Sequence, residues 1–180
     1  AFLRAEGALR GWNMGGSPKD LYEAGIRLSF EENNISSGVE SYLANTGKVE
    51  GYKDPLKGQS GQTYDYSGSI NTAVTVAWAG GDFEKSLEQI ITQKWIANFP
   101  NGMESWSEYR RTGYPKLMPM AANASSGIVD DTEGARRMPY PTDEYRENKE
   151  SVEAAVLTLT QESKTKKGDS MATHVWWDCK

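Results

Sequence analysis

The stretch AFLRAEGALRGWNMGGSPKDLYEAGIRLSF, residues 1–30, predicts two helices that pack against each other. Apolar residues recur at positions 1, 5, 8 and 12, the spacing of one helical face. The glycines at 15 and 16 end this helix, and Ser17 with Pro18 begins the next, because a serine hydroxyl caps free N–H groups and proline fits a first turn. Small residues at 5, 8 and 25 would allow a close approach. We therefore expect residues 1–35 to form an antiparallel helical hairpin of the tetratricopeptide kind.

The remainder, residues 36–180, is predicted to be a loop-rich subdomain with further helices and little β-structure. Helical spacing indicates a short helix near 39–45, longer ones over 82–99 and 102–112, and another that begins at Asn148. Between 48 and 81 no hydrophobic period holds, so a long loop is expected there, with one short strand at 73–78. Loops of this length in compact domains are commonly functional. The fold class is thus predicted to be all-α dominated.

The composition excludes several classes of protein. The chain has 180 residues, one cysteine, one histidine and a formal net charge of -5. Nucleic-acid binding needs a basic face, which this charge argues against. One cysteine and one histidine argue against a disulfide framework and the common zinc sites, and we expect neither a metal nor a cofactor. No apolar run approaches the roughly 20 residues that span a bilayer.

Catalysis is not indicated either. The 25 acidic residues make chance carboxylate pairs inevitable, and nothing singles out a pair placed for glycoside hydrolysis. The sequence contains no nucleophile elbow, no phosphate-binding loop, no dinucleotide-binding glycine fingerprint and no HExxH motif. His174 stands near Asp178, but a single histidine of this kind is more often structural. The chain is therefore predicted not to be an enzyme.

The long loop carries aromatic residues that no hydrophobic period explains. A saccharide ring has an apolar face of C–H groups and a rim of hydroxyls, which an aromatic plane and polar side chains can bind together. The loop offers this combination, and the candidate glycan contacts are Tyr52, Tyr64, Asp65, Tyr66, Asn71 and Trp78. The alternative is that the rings pack the loop onto the helices, an interpretation that applies most strongly to Trp78.

The motif Arg-Arg-x-x-Tyr-Pro occurs twice, beginning at Arg110 and at Arg136. Guanidinium groups bond carboxylates and carbonyl oxygens in pairs, so these arginines are interpreted as fasteners of irregular backbone, with a phosphate or acidic-ligand site as the alternative. The aromatic tail at 174–178 is expected to be docked. Tryptophan side chains are large and mostly apolar, and they are usually core or interface anchors. This interpretation applies to Trp95, Trp106, Trp176 and Trp177.

The block QIITQKWIANFPNGMESWSEYRRTGYPKLMP, residues 89–119, closely resembles the C-terminal region of SusD/RagB-like outer-membrane lipoproteins. The block RRMPYP at 136–141 and the ending VWWD at 175–178 agree with this resemblance, as does the opening hairpin. The resemblance spans nearly the whole chain and is weakest over 48–77. It implies a SusD-like helical fold, with the N-terminal part of the full protein lying upstream.

The resemblance also implies a function. The family captures glycans or other nutrients at the bacterial surface, without cleaving them, for a SusC-like TonB-dependent transporter. The implied location is the outer membrane, reached through a lipid anchor on the upstream part. No motif transfers a binding residue of the family to a position here, so the candidate contacts rest on loop composition. The alternative function is a helical-repeat scaffold that binds a protein through hairpin surface residues such as Tyr22.

Overall fold

The computed structural model describes residues 1–35, 37–48, 51–53, 55, 74–118 and 123–178. Within these ranges the chain forms helices and turns but no β-strand, and Asp130 and Gly134 form an isolated bridge. The predicted helix-dominated fold is confirmed. No helix in these ranges is both long and apolar enough to cross a bilayer. In chain order the helices are α1 (Phe2–Leu9), α2 (Pro18–Glu32), α3 (Val39–Leu43), α4 (Phe83–Ala97), α5 (Gly102–Thr112), α6 (Thr142–Glu147) and α7 (Lys149–Glu162).

The chain forms two compact units. The first comprises Ala1–Tyr109 and Gly113–Met118, and the second comprises Arg110–Thr112 and Pro119–Lys180. In the first unit α1 packs on α2, and α4 packs on both. The division into a repeat hairpin over 1–35 and a subdomain over 36–180 stays a prediction about the whole protein.

The core of the first unit lies between the hairpin and α4. Ser17 caps α2 as predicted, since its hydroxyl accepts a hydrogen bond of 3.1 Å from the backbone N–H of Asp20. Pro18 occupies the first turn of the same helix. The apolar face of the hairpin formed by α1 and α2 packs on α4. The buried cluster consists of Phe2, Ala5, Leu21, Tyr22, Ile26 and Ile90.

Gly25 sets the approach of α2 to α1. A Cβ atom at this position would lie 2.7 Å from Cε1 and from Cζ of Phe2. The predicted close contact at this glycine is therefore confirmed. We expect Gly25→Ala to lower the free energy of unfolding by about 2 kcal/mol, because the Phe2 ring must shift within a packed core.

Urea unfolding measures this effect, with Gly102→Ala as the matched control. A Cβ at Gly102 meets no atom within 4 Å, so the control should be neutral or stabilised by up to about 1 kcal/mol, the usual gain from replacing a helical glycine with alanine. Equal stabilities of the two variants would show that the contact with Phe2 is not limiting.

Residues 74–80, at the end of the long loop, form no strand, so the prediction of one at 73–78 is wrong for the part described. Several of their backbone groups bond to one side chain, and the N–H of Ala77 donates to the backbone carbonyl of Asn45 at 2.9 Å. Nε2 of Gln89 donates to the carbonyls of Thr75 and Ala77 at 2.8 and 2.9 Å, and its Oε1 accepts from the N–H of Ala79 at 3.2 Å. Because the buried Gln89 amide satisfies this backbone, the segment stays ordered without a sheet.

The second unit is held together largely by polar side chains. Its buried apolar residues include Val152 of α7 and Ala172. Buried polar groups need hydrogen-bond partners, so the fold of this unit depends on where those partners lie. The buried polar and charged residues of this unit include Arg110, Thr112, Arg136, Thr173, His174 and Asp178.

Candidate functional site

The candidate glycan contacts predicted from the loop fall partly outside the described residues. Tyr52 is described and exposes 40% of its surface. Trp78, at the other end of the loop, is half-buried. The contacts that lie outside the described residues, and whose role stays a prediction, are Tyr64, Asp65, Tyr66 and Asn71.

Trp78 packs on the hairpin core. Its ring centroid lies 5.1 Å from that of Tyr22, with the two planes at 49°. Tyr22 is fully buried, and its hydroxyl donates a 2.7 Å hydrogen bond to the carbonyl of Val76. Burial raises the pKa of this hydroxyl. The prediction that Tyr22 belongs to an exposed protein-binding face is therefore wrong, because the ring packs inward against Trp78.

A pocket of about 510 Å³ lies in the first unit, around the turn that connects α4 and α5. Four aromatic side chains line it, Trp95, Phe99, Trp106 and Tyr109. We call this the aromatic pocket. Its lining is mainly apolar, which suits the apolar face of a sugar ring or an apolar side chain better than a charged ligand.

The turn between α4 and α5 allows Trp95 of α4 and Trp106 of α5 to line the same pocket. α4 ends at Ala97, and Asn101 caps α5 by accepting a 3.3 Å hydrogen bond from the N–H of Glu104. Lys94 joins the two helices, since its Nζ donates to Oε1 of Glu104 and to Oε1 of Glu108, both at 2.7 Å. This ion cluster, in which Lys94 and Glu108 are buried and Glu104 is partly exposed, links α4 to α5.

The aromatic pocket was missed by the sequence analysis, which interpreted Trp95 and Trp106 as anchors. Trp95 exposes 40% of its surface, and Phe99 exposes 87%. Exposed apolar surface of this kind marks contact with another molecule or with another part of a protein. The available signal was the Asn-Phe-Pro-Asn break at 98–101, which follows one tryptophan-bearing helix and precedes another.

The arginines of the repeated motif fasten the backbone of the second unit. Nη1 of Arg110 donates to the carbonyl of Arg136 at 2.5 Å, and its guanidinium lies 4.5 Å from the ring centre of Trp177. Nε of Arg136 donates to the carbonyl of Glu133 at 2.9 Å, and its Nη1 lies 3.3 Å from Oδ1 of Asp178. Burial lowers the pKa of Arg110. These contacts agree with the interpretation of the arginines as fasteners.

The aromatic tail is docked through its polar residues. His174 is buried, with Nε2 2.8 Å from Oε2 of Glu133 and Nδ1 3.1 Å from the carbonyl of Asp178. Burial also raises the pKa of the Asp178 carboxyl group. Trp177 is half-buried, whereas Trp176 exposes 91% of its surface. The predicted docking is therefore confirmed at 174, 177 and 178, and of the two interpretations of Trp176, as a core or an interface anchor, its exposure contradicts the first.

No group of three His, Cys, Asp or Glu side chains within the described ranges is placed to hold a metal ion. Both ring nitrogens of His174 already have protein partners. What the described residues offer a ligand is therefore aromatic surface together with polar and charged groups.

The chain matches the SusD-like family, described as Susd and RagB outer membrane lipoprotein, over residues 1–178. No curated protein matches it significantly. A solved SusD homologue from Bacteroides ovatus ATCC 8483 is 88% identical with a TM-score of 0.88, and the match covers 99% of this chain and 36% of that one.

Two further solved structures of SusD homologues are similar to this chain. A SusD homologue from Bacteroides thetaiotaomicron VPI-5482 is 49% identical with a TM-score of 0.82, covering 99% of this chain and 37% of that one. A chitin-binding SusD homologue from Flavobacterium johnsoniae is 44% identical with a TM-score of 0.79, covering 98% and 34%. The chain thus spans about a third of the length of these relatives.

Proposed function

Because the chain belongs to the SusD/RagB family of outer-membrane lipoproteins, we propose that its protein captures a glycan at the bacterial surface without cleaving it. The observation that carries the proposal is the 44% identical SusD homologue described as chitin-binding, which matches 98% of this chain. The proposal extends to delivery of the glycan to a SusC-like TonB-dependent transporter. Membrane contact would then be made through a lipid anchor.

Binding without cleavage is supported by the surroundings of the one histidine. His174 is buried, and its two ring nitrogens have hydrogen-bond partners in Glu133 and Asp178. This environment suits a structural role better than proton transfer to a substrate. Glycoside hydrolysis would need two carboxyl groups set roughly 5 to 9 Å apart across a sugar-binding cleft. Nothing in the sequence singles out such a pair.

The proposed glycan contacts remain those of the long loop. The exposed ring of Tyr52 supports this proposal, because it offers a face to solvent at the start of the loop. The half-buried ring of Trp78, held by Tyr22, would give a fixed edge at the other end. The remaining proposed contacts are Tyr64, Asp65, Tyr66 and Asn71.

The loop contacts are tested by alanine substitution. The purified protein is screened for binding to immobilised chitohexaose, xylohexaose, mannohexaose and maltohexaose. We expect binding to at least one, and an affinity about tenfold weaker in Tyr64→Ala or Tyr66→Ala, since one ring–sugar stack contributes about 1.4 kcal/mol. Raising the salt concentration should change this affinity little, because a neutral glycan involves no charge pairing.

Trp12→Ala is the matched control, because Trp12 is 63% exposed but lies in the hairpin turn outside the loop. Its affinity should equal that of the unchanged protein. Binding that survives both tyrosine substitutions would remove the loop from the site. Failure to bind any of the four hexasaccharides, or their cleavage, would contradict the proposed function itself.

A further inference from the structure

Trp176 is displayed by a firmly held turn. The residues around it are docked: His174 and Asp178 are buried, and the N–H of Asp178 donates a 2.9 Å hydrogen bond to the carbonyl of Val175. Trp177 lies under the guanidinium of Arg110, with 4.5 Å between the guanidinium carbon and the ring centre. Trp176 nevertheless exposes 91% of its surface. Because the backbone on both sides is fixed, its ring can meet a ligand with little further loss of conformational entropy.

A cavity of about 570 Å³ lies beside this ring, within the second unit. Its volume is that of a small-molecule site. The C-terminal end of α7 lines the cavity with Thr158 and Glu162, and Lys164 lies two residues beyond the end of the helix. The buried residue His174 also lines the cavity. The indole therefore stands next to a recess with hydrogen-bonding side chains.

Charged groups at this cavity are available to a ligand. The side chains of Glu162 and Lys164 are both exposed, and within the described residues neither side chain makes a hydrogen bond or an ion pair, although the Lys164 charge acts on the Asp178 carboxylate, which also lines the cavity. One can accept hydrogen bonds from hydroxyl groups, and the other can donate to them. Since the two charges are opposite, the pair favours a neutral polyhydroxylated ligand over an anion or a cation.

From these observations we propose that Trp176, Glu162 and Lys164 form a second saccharide-binding site, separate in sequence from the long loop. The indole stacks on the apolar C–H face of a sugar ring, and the two charged side chains bond its hydroxyl rim. The cavity between them accommodates the neighbouring part of the ring. This inference rests on the proposed function, because it takes the ligand to be a glycan.

The position of the ring is tested by ¹⁹F NMR of the protein labelled with 5-fluorotryptophan. The Trp176 resonance is assigned by its loss in Trp176→Phe, and chitohexaose, xylohexaose, mannohexaose and maltohexaose are added in turn. We expect a saturable shift of this resonance with a hexasaccharide that binds. The resonance of Trp177, assigned in the same way, should stay in place because its ring is covered by Arg110.

Affinity measurements on variants complete the test. Trp176→Ala is expected to weaken binding at this second site about tenfold, and Glu162→Gln and Lys164→Gln should each weaken binding at the same site several-fold. Trp12→Ala, also an exposed tryptophan, should leave it unchanged. Unfolding midpoints of Trp176→Ala and the unchanged protein should coincide, since an exposed ring contributes little to stability.

The outcomes separate this inference from the proposed function. Binding of a hexasaccharide with a stationary Trp176 resonance and full affinity in Trp176→Ala would overturn the second site and leave glycan capture standing. A Trp176 resonance that responds to a purified SusC-like transporter and to none of the saccharides would show a protein-binding surface, which also overturns it. Absence of binding to every hexasaccharide would overturn both.

Discussion

Replacing Lys94 with methionine is expected to lower the free energy of unfolding by about 4 kcal/mol. The ammonium group of Lys94 is buried and donates to carboxylates of Glu104 and Glu108, each at 2.7 Å. The side chain of Glu108 is also buried, with 10% of it exposed. The substitution removes a cation that bonds this carboxylate, and weakening the compensation of a buried charge costs more than the ion pair itself contributes.

Urea unfolding followed by circular dichroism measures the loss. Lys85→Met is the matched control, because Lys85 is an exposed lysine on the same helix and its replacement should change stability by less than about 0.5 kcal/mol. Adding Glu108→Gln to Lys94→Met should recover part of the loss, since one buried charge then disappears. If the two lysine variants were equally stable, the ion cluster would not hold α4 on α5.

Asp169→Ala is expected to destabilise the second unit by about 3 kcal/mol. The Asp169 carboxylate accepts hydrogen bonds from Nη1 of Arg137 at 2.5 Å, from the N–H of Tyr140 at 3.0 Å and from the hydroxyl of Tyr145 at 2.7 Å. The side chains of Arg137 and Asp169 expose 11% and 10%. One carboxylate thus joins the second Arg-Arg-x-x-Tyr-Pro motif to α6, and its removal leaves a largely buried guanidinium without this partner.

The effect should depend on pH in a defined direction. Burial alone would raise the pKa of Asp169, but the hydrogen bonds from Arg137, Tyr145 and Tyr140 lower it below its ordinary value of 3.8. The stabilisation is therefore fully present above that value and is lost as the pH falls through the lowered pKa. The stability difference between the unchanged protein and Asp169→Ala should shrink in acid.

Urea unfolding at about pH 7 and at about pH 3 checks both parts of this prediction. Asp143→Ala is the control, because the Asp143 side chain is 79% exposed and pairs with an exposed Arg146. That pair should contribute less than about 1 kcal/mol. A loss in Asp169→Ala as small as in Asp143→Ala would contradict the fastening role, and a difference that did not shrink in acid would contradict the lowered pKa.

The helices could be predicted because their signals are local. Ser17 and Asp82 stand immediately before helical periods, and both cap their helices through side-chain oxygens. The segment 74–80 could not be predicted in the same way. Its backbone partners include the amide of Gln89, more than ten residues away in sequence, and no propensity or period encodes such a contact.

The surfaces proposed to bind were only partly predictable, for a similar reason. Trp176 and Trp177 are adjacent and chemically identical, so sequence alone predicts the same role for both. The structure separates them because Arg110, distant in sequence, covers one ring and leaves the other exposed. The aromatic pocket likewise depends on how the turn at 98–101 brings two helices together. The residue types indicated that aromatic rings could contact a ligand, but tertiary contacts determine which of these rings are exposed.

Glycan capture without cleavage is tested most directly by calorimetric titration of the purified protein with chitohexaose, followed by mass spectrometry of the sugar afterwards. We expect saturable heat of binding, nearly independent of salt, and recovery of the hexasaccharide intact. Absence of binding to this sugar and to its xylo-, manno- and malto- counterparts, or recovery of shortened products, would contradict glycan capture without cleavage.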